Sequence, residues 1–561
     1  MPLLTGKNAL IQMLKAEGVE YIFGNPGTTE TPIMDELENH GDLQYVLVMQ
    51  EGVAMGMADA YARATKKPSF VNLHIETGLA NGMSLLHNAN AGGTPMVLTA
   101  ANLDIRELAR GRTNLSKMVK ELTKWSTSVT HADQIPSVLR RAFKEAITPP
   151  TGPVFIEFSA NSLDDETDVD IAPSGATYPL LQPDVNSITK AAELISNSTD
   201  PIIIVGDKVG ESNATLEVVK IAEMLGAKVY ASSYAEMNFP TSHIQFKGAI
   251  KLGFPESHNT LSSSDLVIMI GKLSTGYYMF SEPSLEYFDK TTKFVHIDND
   301  GNHIGSTHKT DVGIIADPKV AIKKLTDALE TLLTAADKIS AKNRRELLAI
   351  EKEKALKLSK NRLDKTWNDK PMSSYRMMHE VARSLPKNII VSNDSVTSSD
   401  ALYDAMNFDI PGSIYGGRGG ALGWGIGGAM GIKLAYPDRP VIALEGDGSA
   451  MMTMQGLWTA ANSNIPVVYV ICNNQSYRVL KLNMDIYKDV VLNDAGSHSE
   501  YLGMDFETPI DMVKIANGMG IAGKNIEDPD EIFPELRKAL ALEKPALLNV
   551  RIDGSIKNIP T

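Results

Sequence analysis

The stretch from Val441 to Ser476 limits the possible folds more tightly than any other. Val441–Leu444 is an apolar run that ends in Glu445-Gly446-Asp447-Gly448-Ser449, a strand feeding a tight glycine turn. Met451–Ala461 carries helix-forming residues. Pro466–Cys472 is β-branched and apolar, a second buried strand, and it ends at Asn473-Asn474. A strand, a turn, a helix and a second strand at this spacing predict a βαβ unit and a parallel sheet. Open parallel sheets place their ligand sites at the C-terminal ends of the strands, where both polar turns fall.

The residue types at those ends suit a divalent cation holding a diphosphate. Asp447 offers a carboxylate oxygen, Asn474 an amide oxygen, and the backbone near Ser476 a carbonyl. Mg²⁺ prefers such hard ligands in octahedral geometry and takes its remaining partners from water and phosphate. Gly446 and Gly448 let the backbone approach the anion. The following helix would aim its N–H groups and positive dipole end at it. Each turn by itself reads equally as a surface loop.

Composition excludes several alternatives. The chain has 561 residues, enough for two to four domains, and its net charge is 54 − 68 = −14. That acidity argues against nucleic-acid partners. The single cysteine, Cys472, allows no internal disulfide, lies in an apolar strand and reads as a core residue. The N-terminal residues lack a signal-peptide core, and no run approaches the roughly 18 apolar residues of a membrane span. A cytoplasmic protein with no membrane partner is expected.

Alternating strand and helix patterns predict an α/β fold of three consecutive doubly wound, mainly parallel-sheet domains. The first covers residues 1–180. It has a helix at Thr5–Glu17, strands at Tyr21–Phe23, Tyr45–Met49, Ser69–His74 and Pro95–Ala101, and helices at Thr28–Glu38 and Gly52–Thr65. A weakly patterned linker at 181–190 leads to a central domain, 190–335, with strands at Ile202–Gly206, Lys228–Ser232, Leu266–Gly271 and Lys293–Ile297. Residues 336–371 read as a helical linker rich in Lys, Glu and Leu. The third domain, 372–553, holds the opening motif. No sequence repeat relates the first domain to the third.

GDGS followed by NN, with Gly24–Pro32 (GNPGTTETP), Gln50–Pro68 (QEGVAMGMADAYARATKKP) and Asn72–His74 (NLH), resembles the thiamine-diphosphate-dependent decarboxylase and acetohydroxyacid synthase superfamily. Within it the likeness is to the benzoylformate decarboxylases and spans most of the chain. The resemblance implies thiamine diphosphate and Mg²⁺ as cofactors, with a pyrimidine-binding, a middle and a diphosphate-binding domain. Asp447, Asn474 and Ser476 would be the metal ligands, and Gly446, Gly448, Ser449 and Tyr477 would surround the diphosphate. Glu51, at the end of an apolar strand and the start of a helix, would hydrogen-bond N1′ of the aminopyrimidine; its alternative is a helix-cap carboxylate. His74 would move a proton or place the substrate carboxylate. Thr28 stands where the family has a substrate-contacting serine, or else caps a helix.

The glycine-rich stretch Gly416–Gly431 contains GWGIGG, formally a dinucleotide fingerprint. No good strand leads into it and no acidic ribose partner follows, which excludes that reading. The resemblance implies instead that the Gly420 carbonyl and the Leu422 side chain hold the pyrimidine, and that Thr397, in Ser395–Ser399, meets the terminal phosphate. Two departures stand out. Tyr278 falls where the family has a second histidine. Arg478, Lys481 and Asn483 occupy a stretch the family keeps apolar, which suits a smaller or additionally charged 2-oxo acid. His87, His131 and His379 read as helix residues. His303 and His308, near Asp298 and Asp300, form no metal-ligand pattern. The expected activity is non-oxidative decarboxylation of a 2-oxo acid in a homodimer or homotetramer; the resemblance implies active sites between subunits, with the glutamate from one chain and the metal motif from another. An acetolactate-synthase-like carboligase and a catalytically silent cofactor-binding protein are the alternatives; no flavin fingerprint supports the former.

Overall fold

Each of three successive segments of the chain folds into a six-stranded, wholly parallel sheet. The computed structural model describes residues 3–175, 180–232, 236–250, 255–272, 286–494 and 500–556. The first sheet comprises β1 (Tyr21–Gly24), β2 (Gln44–Leu47), β3 (Ser69–His74), β4 (Met96–Asn102), β5 (Trp125–Val129) and β6 (Pro153–Ser159), in the order β2-β1-β3-β4-β6-β5. The second comprises β7 (Pro201–Val205), β8 (Lys228–Ser232), β9 (Phe246–Ile250), β10 (Leu266–Ile270), β11 (Lys293–Asp298) and β12 (Val312–Ile315), in the order β9-β8-β7-β10-β11-β12. The third comprises β13 (Ile390–Asp394), β14 (Ile414–Tyr415), β15 (Val441–Gly446), β16 (Val467–Asn473), β17 (Ala522–Ile526) and β18 (Ala546–Arg551), in the order β14-β13-β15-β16-β18-β17.

The first and third sheets therefore share one topology, a likeness that no sequence repeat announces. Their central strands are buried on both faces, as parallel strands between helices must be. Ile22, Phe70 and Val97 face one cluster while their neighbours Phe23, Val71 and Leu98 face another. In the third sheet Ile442, Leu444 and Val470 face outward to a separate cluster. Val441, Ala443 and Tyr469 join the same cluster as Phe23 and Val71, so one core runs from the first domain into the third. The central domain has its own cores.

That shared core is built around two crossed helices, α1 (Glu51–Thr65) and α2 (Trp424–Ala435). Glycines let their backbones meet. A β-carbon on Gly431 would fall 2.1 Å from the Met57 carbonyl oxygen, and one on Gly427 would fall 2.7 Å from that of Val53. Gly427 of GWGIGG, and Gly431 beyond it, thus serve helix packing.

Several elements differ from expectation. Thr28–Glu38 divides into a 3₁₀ turn, Thr28–Glu30, and a helix, Thr31–Leu37. The helix Val185–Ser196 begins inside the expected linker. The helix after the GDGS turn is broken into Asp447–Ala450 and Gly456–Asn462, because the Thr453 hydroxyl between them donates to the Gly423 carbonyl at 2.6 Å. His131 precedes a 3₁₀ turn and is not in a helix. The linker is one helix, Ala335–Lys365. Cys472 is buried, and burial pushes its thiol up. Among the described residues no helix is long and apolar enough to cross a membrane. Tyr278 lies outside the described residues.

At the α1–α2 crossing no flexible side chain can yield to an added methyl. We expect Gly431→Ala to destabilise the protein by about 3 kcal/mol, the upper end for overpacking. Urea denaturation monitored by circular dichroism measures this directly.

Candidate active site

Glu51 is the first residue of α1, whose N-terminus is capped by the Gln50 side chain accepting from Val53 N–H. The Glu51 residue is only 5% exposed, and each carboxylate oxygen is claimed by an amide. Asn25 donates to Oε1 at 3.1 Å and Asn81 to Oε2 at 3.0 Å. The carboxylate is thereby fixed in direction, yet each oxygen keeps a free lone pair.

His74 ends β3 next to it. Its Nδ1 lies 2.8 Å from Oε2 of Glu30, which is fully buried. Glu30 also accepts from the Gly27 N–H at 3.1 Å and the Ala101 N–H at 2.9 Å. A carboxylate so placed accepts a hydrogen bond from Nδ1–H and leaves Nε2 to act as the proton-exchanging atom. The hydroxyl beside Nδ1, at 3.0 Å, belongs to Thr29. Thr28 is exposed at the start of the 3₁₀ turn. Glu51 and His74 converge on Gly78: a β-carbon there would lie 3.1 Å from Glu51 Oε1 and 3.2 Å from His74 Cβ.

The second half of the site is at the ends of β13, β15 and β16. Strand register pairs Gly446 with Cys472, so Asp447 and Asn473 emerge side by side. Asp447 accepts from the Gly448 N–H at 2.9 Å and from the Gln475 N–H at 2.6 Å. Burial, only partly offset by these bonds, pushes its carboxyl up to about 6. Asn474 Oδ1 accepts from the Ser476 N–H at 2.9 Å and the Ser476 hydroxyl at 3.2 Å. Tyr477 stacks edge-on against Phe506 at 4.9 Å, and its ring packs where a Gly448 side chain would be. The Ser449 hydroxyl donates to Asp394 at 2.5 Å and accepts from the Gly423 N–H at 2.9 Å.

This set can hold a hard cation. A desolvated carboxylate whose hydrogen bonds do not restore its ordinary acidity favours a positive ion beside it. Among the described residues no group of three or more His, Cys, Asp or Glu side chains could bind a metal. An ion at Asp447 would rely on one carboxylate, neutral oxygens and phosphate, as Mg²⁺ does and structural zinc does not. Thr397 sits half-buried in the adjoining 3₁₀ turn Val396–Ser398. Gly420 and Gly423, at φ +84° and +86°, bracket the loop that carries Leu422.

Comparison with known proteins accounts for both halves at once. Residues 4–122 match the thiamine pyrophosphate enzyme N-terminal TPP binding domain, 188–325 the central domain and 395–550 the C-terminal TPP binding domain. The chain belongs to the thiamine pyrophosphate enzyme family. It is 28% identical to benzoylformate decarboxylase of Pseudomonas aeruginosa over 97% of this chain and 98% of that protein. To the acetolactate synthase large subunit of Haemophilus influenzae it is 27% identical, over 99% and 96%. The structure of the 4-hydroxybenzoylformate decarboxylase of Rhodococcus jostii RHA1 superposes with a TM-score of 0.84 at 26% identity, covering 98% of this chain and 99% of that one.

In this thiamine pyrophosphate enzyme, sequence reasoning missed the residues that orient the others. Glu30 follows Gly27 at the three-residue spacing of a capping carboxylate, a signal that could have marked it. Asn25 stood in the quoted GNPG turn. Asn81 and Asp394 gave no local sign. Beyond the Asn474 turn, Lys481 pairs with Asp505, and both line a cavity with Asn474 and Gln475; Arg478 is buried, with Asp553 as its main electrostatic partner.

Replacing Glu30 with Gln leaves one of its two backbone donors without an acceptor and the other with a neutral one. We expect a loss of about 1–3 kcal/mol in unfolding free energy. Nitrogen-15 NMR of the imidazole should show the His74 Nδ1–H tautomer giving way to a mixture.

Proposed function

We propose that the chain is a thiamine-diphosphate- and Mg²⁺-dependent decarboxylase of 2-oxo acids, with benzoylformate as the type of substrate. The observation that carries this reading is that Glu51 and His74, both beside Gly78, are each fixed in direction, Glu51 by Asn25 and Asn81 and His74 by the buried Glu30. Bound thiamine diphosphate would supply the electron sink that loss of CO₂ from a 2-oxo acid requires. Asp447, Asn474 and the Ser476 carbonyl would hold Mg²⁺. Thr397 and the turn around it would take the terminal phosphate, with Gly446, Gly448, Ser449 and Tyr477 closing around the diphosphate. The Gly420 carbonyl and Leu422 would fix the pyrimidine.

Glu51 would keep a proton at the pyrimidine N1′. His74, with Nδ1 committed to Glu30, would exchange a proton with the reacting carbon or its oxygen through Nε2. Benzoylformate is chosen as the type of substrate from the benzoylformate decarboxylase relative. A carboligase reading has support from the acetolactate synthase relative and predicts a different product.

The test is to incubate the protein with thiamine diphosphate, Mg²⁺ and either benzoylformate or pyruvate, and to identify the product. Benzaldehyde with CO₂ is expected from benzoylformate; acetolactate from pyruvate would replace this reading with the carboligase one. Glu51→Gln should bind the cofactor yet lose about 10²- to 10⁴-fold in turnover, the usual contribution of a positioned acid–base group. Unchanged turnover would overturn the role given to Glu51.

A further inference from the structure

The helix Ile75–Gly92, which starts beside His74, touches both Glu51 and the glycine-rich loop of the third domain. Asn81, near its beginning, donates to Glu51. Asn88, two turns later on the same face and about 10 Å further along the axis, reaches into the third domain. Its amide pairs with the peptide of Ala421 in both directions: Nδ2 donates to the Ala421 carbonyl at 2.9 Å, and Oδ1 accepts from the Ala421 N–H at 3.0 Å. Asn88 is fully buried. The preceding residue, His87, places Nε2 3.0 Å from the Gly419 carbonyl.

The loop so gripped is short and tethered at its far end as well. The Gly423 N–H is bound by Asp394 at 3.1 Å and by Ser449 of the diphosphate turn at 2.9 Å. Between these anchors lie Gly420 and Leu422, one on each side of the Ala421 peptide. Glycine at φ +84° could swing the loop freely. With the Ala421 peptide clamped at both its polar atoms, the Gly420 carbonyl and the Leu422 side chain have one direction each. Space confirms the fit: a β-carbon on Gly419 would fall 2.5 Å from Asn88 Oδ1.

We propose that Asn88 is a positioning residue for the cofactor: from the first domain it sets the loop of the third domain that holds the pyrimidine half of thiamine diphosphate. Recognition of the pyrimidine then depends on the docking of the two domains, whereas recognition of the diphosphate at Asp447 and Asn474 does not. The inference rests on the cofactor reading given above for Gly420 and Leu422.

Two probes separate the halves. Mg²⁺ with inorganic pyrophosphate reports on the diphosphate end alone; Mg²⁺ with thiamine diphosphate reports on both. Asn88→Asp is nearly isosteric, keeps the acceptor for the Ala421 N–H and sets an oxygen against the Ala421 carbonyl where a donor stood. By titration calorimetry on the full chain, this variant should bind thiamine diphosphate about tenfold or more weakly, the scale of one buried hydrogen bond left unmade. Its pyrophosphate affinity should equal that of the wild type. Equal thiamine diphosphate affinity in variant and wild type would overturn the proposal, and so would parallel losses for both probes, which mark a merely structural role. Should Asn88→Asp fail to fold, Asn88→Ser, which lacks the charge, is read by the same two criteria. A wild type that binds neither probe would instead overturn the cofactor reading, and the role of Asn88 with it.

Discussion

Helices α1 and α2 cross with glycine at the contact, so that the carbonyls of Val53 and Met57 lie against the backbone of the other helix. Large side chains at Gly427 and Gly431 would hold the helices apart. The closeness matters because each helix begins at the site. Glu51 opens α1, and the N–H groups of Gly423 and Gly425, at the start of α2, are taken by Asp394. A shift at the crossing would move both N-termini together with the groups they aim. The surrounding core of Val53, Met57, Trp424, Ile426 and Met430 has no freedom to absorb such a shift, since packed interiors transmit displacement rather than damp it.

What the sequence made legible follows from the same physics. Alternating apolar runs and glycine turns located most strands, because a strand buried on both faces must be continuously apolar. The chemistry at strand ends stood out for the complementary reason: Glu51, Asp447 and Asn474 are hard polar groups next to apolar runs. Their partners stayed hidden. Asn81 is 30 residues from Glu51 and Asn88 is 333 residues from Ala421, and local periodicity says nothing about a neighbour brought in by tertiary packing. The broken helix after Asp447 escaped for a like reason. Met451–Gln455 has helical propensity, but the Thr453 bond to Gly423 overrides it. The shared strand order of the first and third domains is invisible in residue identities because topology depends on pattern, not on particular side chains.

Backbone strain marks the same places. Ile75, Val396 and Gln475 have φ of +27°, +48° and +56°, in the region that side chains with a β-carbon avoid. Ile75 follows His74, Val396 lies beside Thr397, and Gln475 follows Asn474. Each costs about 1–3 kcal/mol. Three such residues at the ends of three strands mean that the surrounding packing over-determines these turns. Glu445 adds a further local cost. It is fully buried beside Asp394, neither of its oxygens has a hydrogen-bond partner, and burial pushes its carboxyl well above the ordinary range.

The central domain is joined to this frame by a buried charge network as well as by Met237, which packs into the core of the third domain. Arg63 on α1 bonds to Asp59 on its own helix at 3.1 Å, to the Gly416 carbonyl at 3.0 Å and to Glu236 of the central domain at 2.9 Å. Arg418, two residues before Gly420, pairs with Asp207, which follows β7. Asp59 also accepts from the Trp424 indole at 2.6 Å. Such buried networks add little net stability, because desolvation offsets the attraction, but removing one member costs about 3–5 kcal/mol. Their effect is therefore on geometry. Apolar surfaces tolerate sliding, whereas a guanidinium held by two carboxylates and a carbonyl has one position. The junction lies where the first domain, the central domain and the glycine-rich stretch of the third meet, so it fixes the base of the loop whose tip Asn88 fixes from the other side.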